Sequence, residues 1–180
     1  MEKNQLVRIS KTLSKHLRHD PRGIGLTLEA GGWVSADALL KALGRKGFTV
    51  TRSDLEEVLT HNDKQRFAFD ETGTRIRANQ GHSVSVDLGL VPLEPPELLF
   101  HGTTSAALDS VMATGLQRMR RHHVHLSVDT ETAQRVGSRH GQAVILRVAA
   151  LKMHEAGHTF YCSANGVWLT DHVPPAFLSR

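Results

Sequence analysis

A single cysteine, Cys162, among 180 residues removes two structural devices at once. The chain can form no internal disulfide, and no multi-cysteine zinc site can be built from it. No stretch approaches the roughly 18 consecutive apolar residues of a membrane helix. The opening MEKNQLVRIS lacks the apolar core of a secretory signal. A soluble cytoplasmic protein with no membrane partner is therefore the expectation. His-Glu-x-x-His and Cys-x-x-Cys motifs are missing, as is a glycine-rich phosphate loop ending in Gly-Lys-Ser/Thr. Gly23-Ile-Gly25 has Leu28 where a dinucleotide fingerprint needs its third glycine, so a doubly wound nucleotide fold is excluded. There is no internal repeat and no low-complexity tract.

What is present is cationic. Lys and Arg number 22 against 18 Asp and Glu, giving +4 with histidine neutral, and the isoelectric point is near 9.6. The charge is uneven. Residues 1–22 hold six Lys/Arg against Glu2 and Asp20, and residues 101–150 hold six Arg against three acids. Residues 51–100 carry nine acids against five bases. Two separated basic blocks suit one shared anionic ligand better than they suit a merely soluble coat. Histidine is over-represented at 12 of 180. Of His122, His123 and His125, only the last two share a strand face, so no metal set forms locally and no metal cofactor is expected.

Pro92, Pro95 and Pro96 mark a stiff junction near residues 90–97. Before it, Leu6, Ile9, Leu13 and Leu17 recur at helical spacing, limited by Pro21. Ser35 is placed to cap a second helix through Leu39, Leu40 and Leu43, ending near Gly44. Ser53 and Glu56 have capping-box spacing ahead of a third. Arg66–Asp70 and Arg75–Ala78 flank a turn at Glu71–Thr74, with Phe67, Phe69 and Ile76 sharing the inward face. Three helices and a hairpin outline a winged-helix module. After the junction, Leu98–His101, His123–Ser127, Ala143–Val148, Phe160–Cys162 and Gly166–Thr170 read as strands. Ser105 and Asp129 are placed to open helices, and the whole reads as α+β.

Candidate functional side chains cluster at element ends, where folds present groups to ligands. Arg18 and His19 close the first helix, Lys64 and Arg66 precede the hairpin, and Arg118, Arg120 and Arg121 precede the His123 strand. Converging arginines suit a phosphate monoester, because each guanidinium offers a planar two-pronged donor. His101-Gly102-Thr103 ends a strand with two hydrogen-bonding side chains around a glycine that permits close approach. Asn165-Gly-Val-Trp-Leu-Thr170 is a rarer string, part of which suits a core strand.

The ordered set Leu17-Arg-His-Asp-Pro21, Ile24-Gly-Leu, Gly32-Trp-Val, Asp63-Lys-Gln-Arg-Phe67 and Ile76-Arg-Ala-Asn-Gln-Gly-His82 covers the first half. His101-Gly-Thr103, Arg121-x-x-Val-His-Leu-Ser127, Val136-Gly-Ser-Arg-His-Gly141 and Asn165-Gly-Val-Trp-Leu-Thr170 cover the second. Together they resemble the RNA 2'-phosphotransferases of the KptA/Tpt1 type, the tRNA 2'-phosphotransferases linked to tRNA splicing. The resemblance implies a winged-helix-like RNA- and phosphate-binding lobe over residues 1–92. It implies an ADP-ribosyltransferase-like split β-sheet lobe over residues 93–180, binding NAD+. It implies that an internal RNA 2'-phosphate attacks C1'' of NAD+ and expels nicotinamide. The ribose O2'' then attacks the ADP-ribosylated phosphate, leaving 2'-OH RNA and ADP-ribose 1'',2''-cyclic phosphate. The family's essential set maps onto Arg18, His19, Arg66 and Arg121. Arg18, His19, Lys64 and Arg66 would grip the 2'-phosphate. His101, Gly102, Thr103, Arg121, Ser127, Gly137 and Gly141 would line the cofactor side, with Arg139 and His140 contacting or flanking it. His19 would carry the proton of the second step, and Lys64 would steady phosphorus. No metal is implied, and a monomer is the expected state. Two rivals remain: a nucleic-acid-binding module without chemistry, and an NAD-dependent transferase acting on other phosphorylated ends or on protein.

Overall fold

The computed structural model describes residues 2–61 and 65–180, which divide into two compact units, 1–89 and 90–180. Both mix short helices with small antiparallel sheets, giving an α+β chain.

In the first unit, α1 (Lys3–Arg18) buries Ile9, Leu13, His16 and Leu17 along one stripe. His16 sits in the core by donating Nδ1–H to the Asp20 carbonyl at 2.9 Å. A short β1 (Val34–Ser35) runs into α2 (Ala36–Arg45), whose cap is Ser35, with Oγ accepting from the Ala38 amide at 3.3 Å. The helix ends at Arg45, beside Gly44 as expected, and the reversal falls at Gly47 (φ +76). The capping box of α3 (Arg52–Thr60) is Thr51 with Asp54, two residues ahead of the expected Ser53–Glu56 pair. Each side chain bonds the other's amide, at 3.1 and 2.8 Å, and Glu56 instead pairs with Arg52 at 2.9 Å. Strands β2 (Phe67–Phe69) and β3 (Arg75–Ala78) form the hairpin, and the sheet order is β1-β3-β2. Ile76 stands opposite both Val34 and Phe69, joining the sheet to the helical core.

In the second unit, β4 (Leu99–Thr104) and α4 (Ser105–Thr114) are followed by β5 (Leu116–Gln117), β6 (Val124–Leu126) and α5 (Thr130–Gly137). Then come β7 (Ala143–Val148), α6 (Ala150–Glu155), β8 (Phe160–Cys162), β9 (Trp168–Thr170), β10 (His172–Val173) and β11 (Leu178–Ser179). Asp129 caps α5 as expected, accepting from the Thr132 amide at 2.6 Å. Ser105 does not cap α4; Thr104 holds that position without a side-chain bond.

Two three-stranded sheets, β11-β7-β4 and β6-β9-β8, carry the core of this unit. They meet where Phe100 and Ser127 exchange two backbone hydrogen bonds, each 2.8 Å. Among the described residues no helix is long and apolar enough to cross a membrane.

Candidate active site

The end of α1 is built to hold Arg18 and His19 still. Its C-terminal carbonyls are claimed by the turn into Pro21: the Asp20 amide returns to Lys15 O at 2.9 Å, and the Ser83 amide to Arg18 O at 2.9 Å. Arg18 then projects its guanidinium 5.7 Å over the Phe67 ring, with Nη2 donating to the Arg66 carbonyl at 3.4 Å. Residues 48 apart in sequence thereby share one patch. His19 hydrogen-bonds through Nδ1 with Ser83 Oγ at 2.9 Å and stays exposed. His19 and Arg66 line one groove of about 600 Å³, and His19 also borders a second of about 370 Å³.

Arg66 is half-buried and makes no ion pair among the described residues. Burial pushes its pKa below the ordinary arginine value, yet far too little to remove the charge. A desolvated cation facing a groove favours an anion. The backbone that aims Arg66 is fixed from β3: the Asn79 amide donates to Arg66 O at 2.9 Å, and Asn79 Nδ2 to Gln65 O at 2.6 Å. Gln65 is thereby held at φ +40, the left-handed region that ordinary side chains avoid. Asn79 and Ser83 were not singled out from sequence, although Asn79 lies within the Ile76–His82 string. Lys64 lies outside the described residues.

In the second unit the candidates gather at the seam between the two sheets. His101 and Thr103 share a face of β4. His101 donates Nδ1–H to the His125 carbonyl at 2.9 Å, which leaves Nε2 without a partner among the described residues. Burial is the main reason its pKa falls below the usual histidine value, and the Arg121 charge adds to this. His101 is therefore neutral near pH 7. Arg121 donates from Nη1 to His125 Nδ1 at 3.2 Å, which requires His125 to accept there and fixes its tautomer. The Arg121 residue is exposed overall, but its guanidinium end is crowded enough that desolvation lowers its pKa. Ser127 sits at the seam itself.

The glycines have a structural explanation that differs from close ligand approach. A methyl on Gly102 would strike the Ala133 carbonyl and come within 2.9 Å of the Gly137 nitrogen, so this glycine admits α5. Gly137 faces it, with Gly102 atoms 3.1 Å from where its own Cβ would be. Gly141 adopts φ +139, a glycine conformation in the turn before β7. Asn165 belongs to the β8–β9 turn, where Ser163 Oγ donates to its Oδ1 at 2.6 Å, and Leu169 is core. Arg139 is exposed. Among the described residues no three His, Cys, Asp or Glu groups form a metal-holding cluster.

The donors at the seam are of the kind that meets a sugar and its phosphates. An open imidazole nitrogen, a threonine hydroxyl and a guanidinium match the hydroxyls and oxyanions of a ribose diphosphate.

A family model described as RNA 2'-phosphotransferase, Tpt1 / KptA family matches residues 4–172. A probable RNA 2'-phosphotransferase from Nostoc punctiforme is 56% identical over 180 residues, covering 100% of this chain and 99% of the relative. One from Trichormus variabilis is 57% identical over 178 residues, covering 99% and 98%. One from Herpetosiphon aurantiacus is 54% identical over 179 residues, again covering 99% and 98%.

Proposed function

The chain belongs to the RNA 2'-phosphotransferase, Tpt1 / KptA family of transferases, and we propose on that footing that it removes an internal 2'-phosphate from RNA at the expense of NAD+. The RNA phosphate becomes ADP-ribosylated, nicotinamide departs, and the products are 2'-OH RNA and ADP-ribose 1'',2''-cyclic phosphate. The observation that carries the reading is the patch formed by Arg18, His19 and Arg66, brought together from the two ends of the first unit's fold. A dianion sits there against the fixed Arg18 and Arg66 cations and the His19 imidazole, whose orientations are already determined by Phe67, Asn79 and Ser83. Preorganised charge of this kind is worth more than flexible surface charge, because no reorganisation is needed as the reaction proceeds.

The helix–strand–helix–helix–strand–strand order with sheet order β1-β3-β2 supports a winged-helix-like first lobe. The paired three-stranded sheets joined at Phe100–Ser127 support an ADP-ribosyltransferase-like second lobe. There, His101 and Thr103 hold the nicotinamide-side ribose, and Arg121 holds oxyanion charge. NAD+ supplies an electrophilic C1'' with nicotinamide as a neutral leaving group. A phosphate is already an anionic nucleophile, so the first step needs positioning rather than a base. His19, exposed and oriented through Nδ1, is the group suited to take the proton from the attacking hydroxyl in the second.

The test is incubation with NAD+ and an oligoribonucleotide bearing one internal 2'-phosphate. Loss of that phosphate together with appearance of the cyclic ADP-ribose phosphate is expected. Phosphate release that proceeds equally without NAD+ would overturn the reading.

A further inference from the structure

The groove that ends at His19 and Arg66 extends well beyond the phosphate patch. It follows α1 toward its N-terminus, past Lys15, Ser14 and Lys11, to Leu6 and Val7. Lys11, Lys15 and His19 are spaced four residues apart, so they line one side of the helix, each about 6 Å further along its axis. That interval is close to the repeat of successive phosphates on an extended single strand, about 6 Å, and basic tracks of this kind bind single-stranded nucleic acid.

The charge in this groove differs from that on the hairpin side of the unit. On the hairpin side Arg52 meets Glu56 at 2.9 Å, and Arg75 meets Asp70 at 2.9 Å and Glu29 at 3.6 Å, while Arg8 and Arg77 lie over the Phe48 and Trp33 rings. Lys11 and Lys15 make no ion pair among the described residues, and no described residue lining the groove is acidic. The acids of the facing α3 do not cancel them. Asp54 is held in its capping box, Glu56 is bound to Arg52, and Glu57 is half-buried outside the lining. Val7, 45% exposed, and Leu6 add an apolar end against which a base can rest.

We propose that this groove is the track for the RNA strand flanking the 2'-phosphate, with Lys11 and Lys15 each neutralising one backbone phosphate. The inference rests on the function proposed above and adds a preference for 2'-phosphates embedded in a longer strand. His19 and Arg66 take the branch phosphate, and the lysines hold the chain leading to it.

The test compares a 2'-phosphorylated dinucleotide with single-stranded hexanucleotides extended on one side or the other, using the wild-type protein and a Lys11→Gln/Lys15→Gln variant. The wild type should have a KM lower by about 10-fold for one of the hexanucleotides, and the variant should lose that advantage. Turnover of the dinucleotide should be the same in both proteins. Removing two phosphate contacts should also flatten the slope of log KM against log salt for the hexanucleotide by about 1.4. A wild type without a length preference, or a variant that keeps it, overturns the proposal. Displacement of a binding-competent, unphosphorylated hexanucleotide by polyglutamate, with no length effect on turnover, would make the groove a surface for acidic polypeptides instead. A dinucleotide that neither protein turns over would count against the function itself, a result separate from any of these.

Discussion

In the first unit two sets of cations contrast: Arg52 and Arg75 are matched with carboxylates on the hairpin side, and Lys11, Lys15 and Arg66 face a groove. In the second unit the corresponding groups at the seam are few and are committed to one another. His101 is tied to the His125 carbonyl, and Arg121 is tied to the His125 ring. The first arrangement suits an extended polyanion whose phosphates come in a row, because charge is spread along a helix. The second suits a compact ligand with a few oxyanions and hydroxyls, because the donors are fixed in number and direction. The two units thus present donors by opposite means: accumulation of charge, and restriction of where it can point.

Removing a cation that is preorganised should produce the largest effect. Arg66→Ala is expected to lower kcat/KM by about 10³, an effect of the size seen when a transition-state donor is deleted. Circular dichroism should remain native, since only the guanidinium is lost from a half-buried site. Activity within 3-fold of wild type would break the contrast at its most specific point.

A pair of glycine substitutions probes the two frameworks. Gly102→Ala drives a methyl into the Ala133 carbonyl and should cost about 3 kcal/mol in the second unit by chemical denaturation. Gly44→Ala meets nothing within 4 Å, inside α2, and should stabilise the first unit by about 1 kcal/mol through helix propensity.

Asn79→Ala removes the amide that fixes Gln65 at positive φ while leaving every groove side chain in place. It should lower kcat/KM by about 10-fold with little change in the NAD+ KM. An effect confined to thermal stability would make Asn79 purely structural.

The smallest expected effect is on acid response. His101 and His123 have pKa values depressed chiefly by burial, so the unfolded chain binds protons more readily there. The second unit's stability should therefore fall as pH drops below the ordinary histidine value of 6.5. Asp70 of the first unit is held at about 2, mainly by the Arg75 backbone amide and then by the Arg75 and Thr72 side chains. Its contribution is complete above 3.8 and disappears only as pH falls through about 2. Denaturant titrations at pH 7 and 5, following Trp33 and Trp168 separately through single-tryptophan variants, would measure the difference.

Local signals were the most legible. The α1 stripe, the Ser35 and Asp129 caps and the Phe67/Ile76 hairpin depend on residues a few positions apart, and the structure has them where the spacing predicts. The α3 box was displaced because Ser53–Glu56 and Thr51–Asp54 obey the same spacing rule. Only the Arg52–Glu56 pair, which takes Glu56 away, distinguishes them. Gly102 shows a different ambiguity. A missing Cβ signals close approach, but the sequence does not show whether the approaching group is a ligand or α5. Asn79 was passed over because its role runs through a main-chain carbonyl, which every residue possesses. The membership of Arg18 and Arg66 in one patch was readable only through the family likeness, since no rule of spacing joins positions 48 apart.

The stretch after β3 has no regular secondary structure, yet it is not a dispensable tail of the first unit. Ser83 pins the end of α1 and orients His19, while the Gly31 amide reaches the Asp87 carbonyl at 2.8 Å. Anyone excising this half of the molecule by stopping where the hairpin ends, at Ala78, would cut away the fastening of the very histidine they hoped to study. The natural place for the scissors is Gly89, eleven residues later by the numbering.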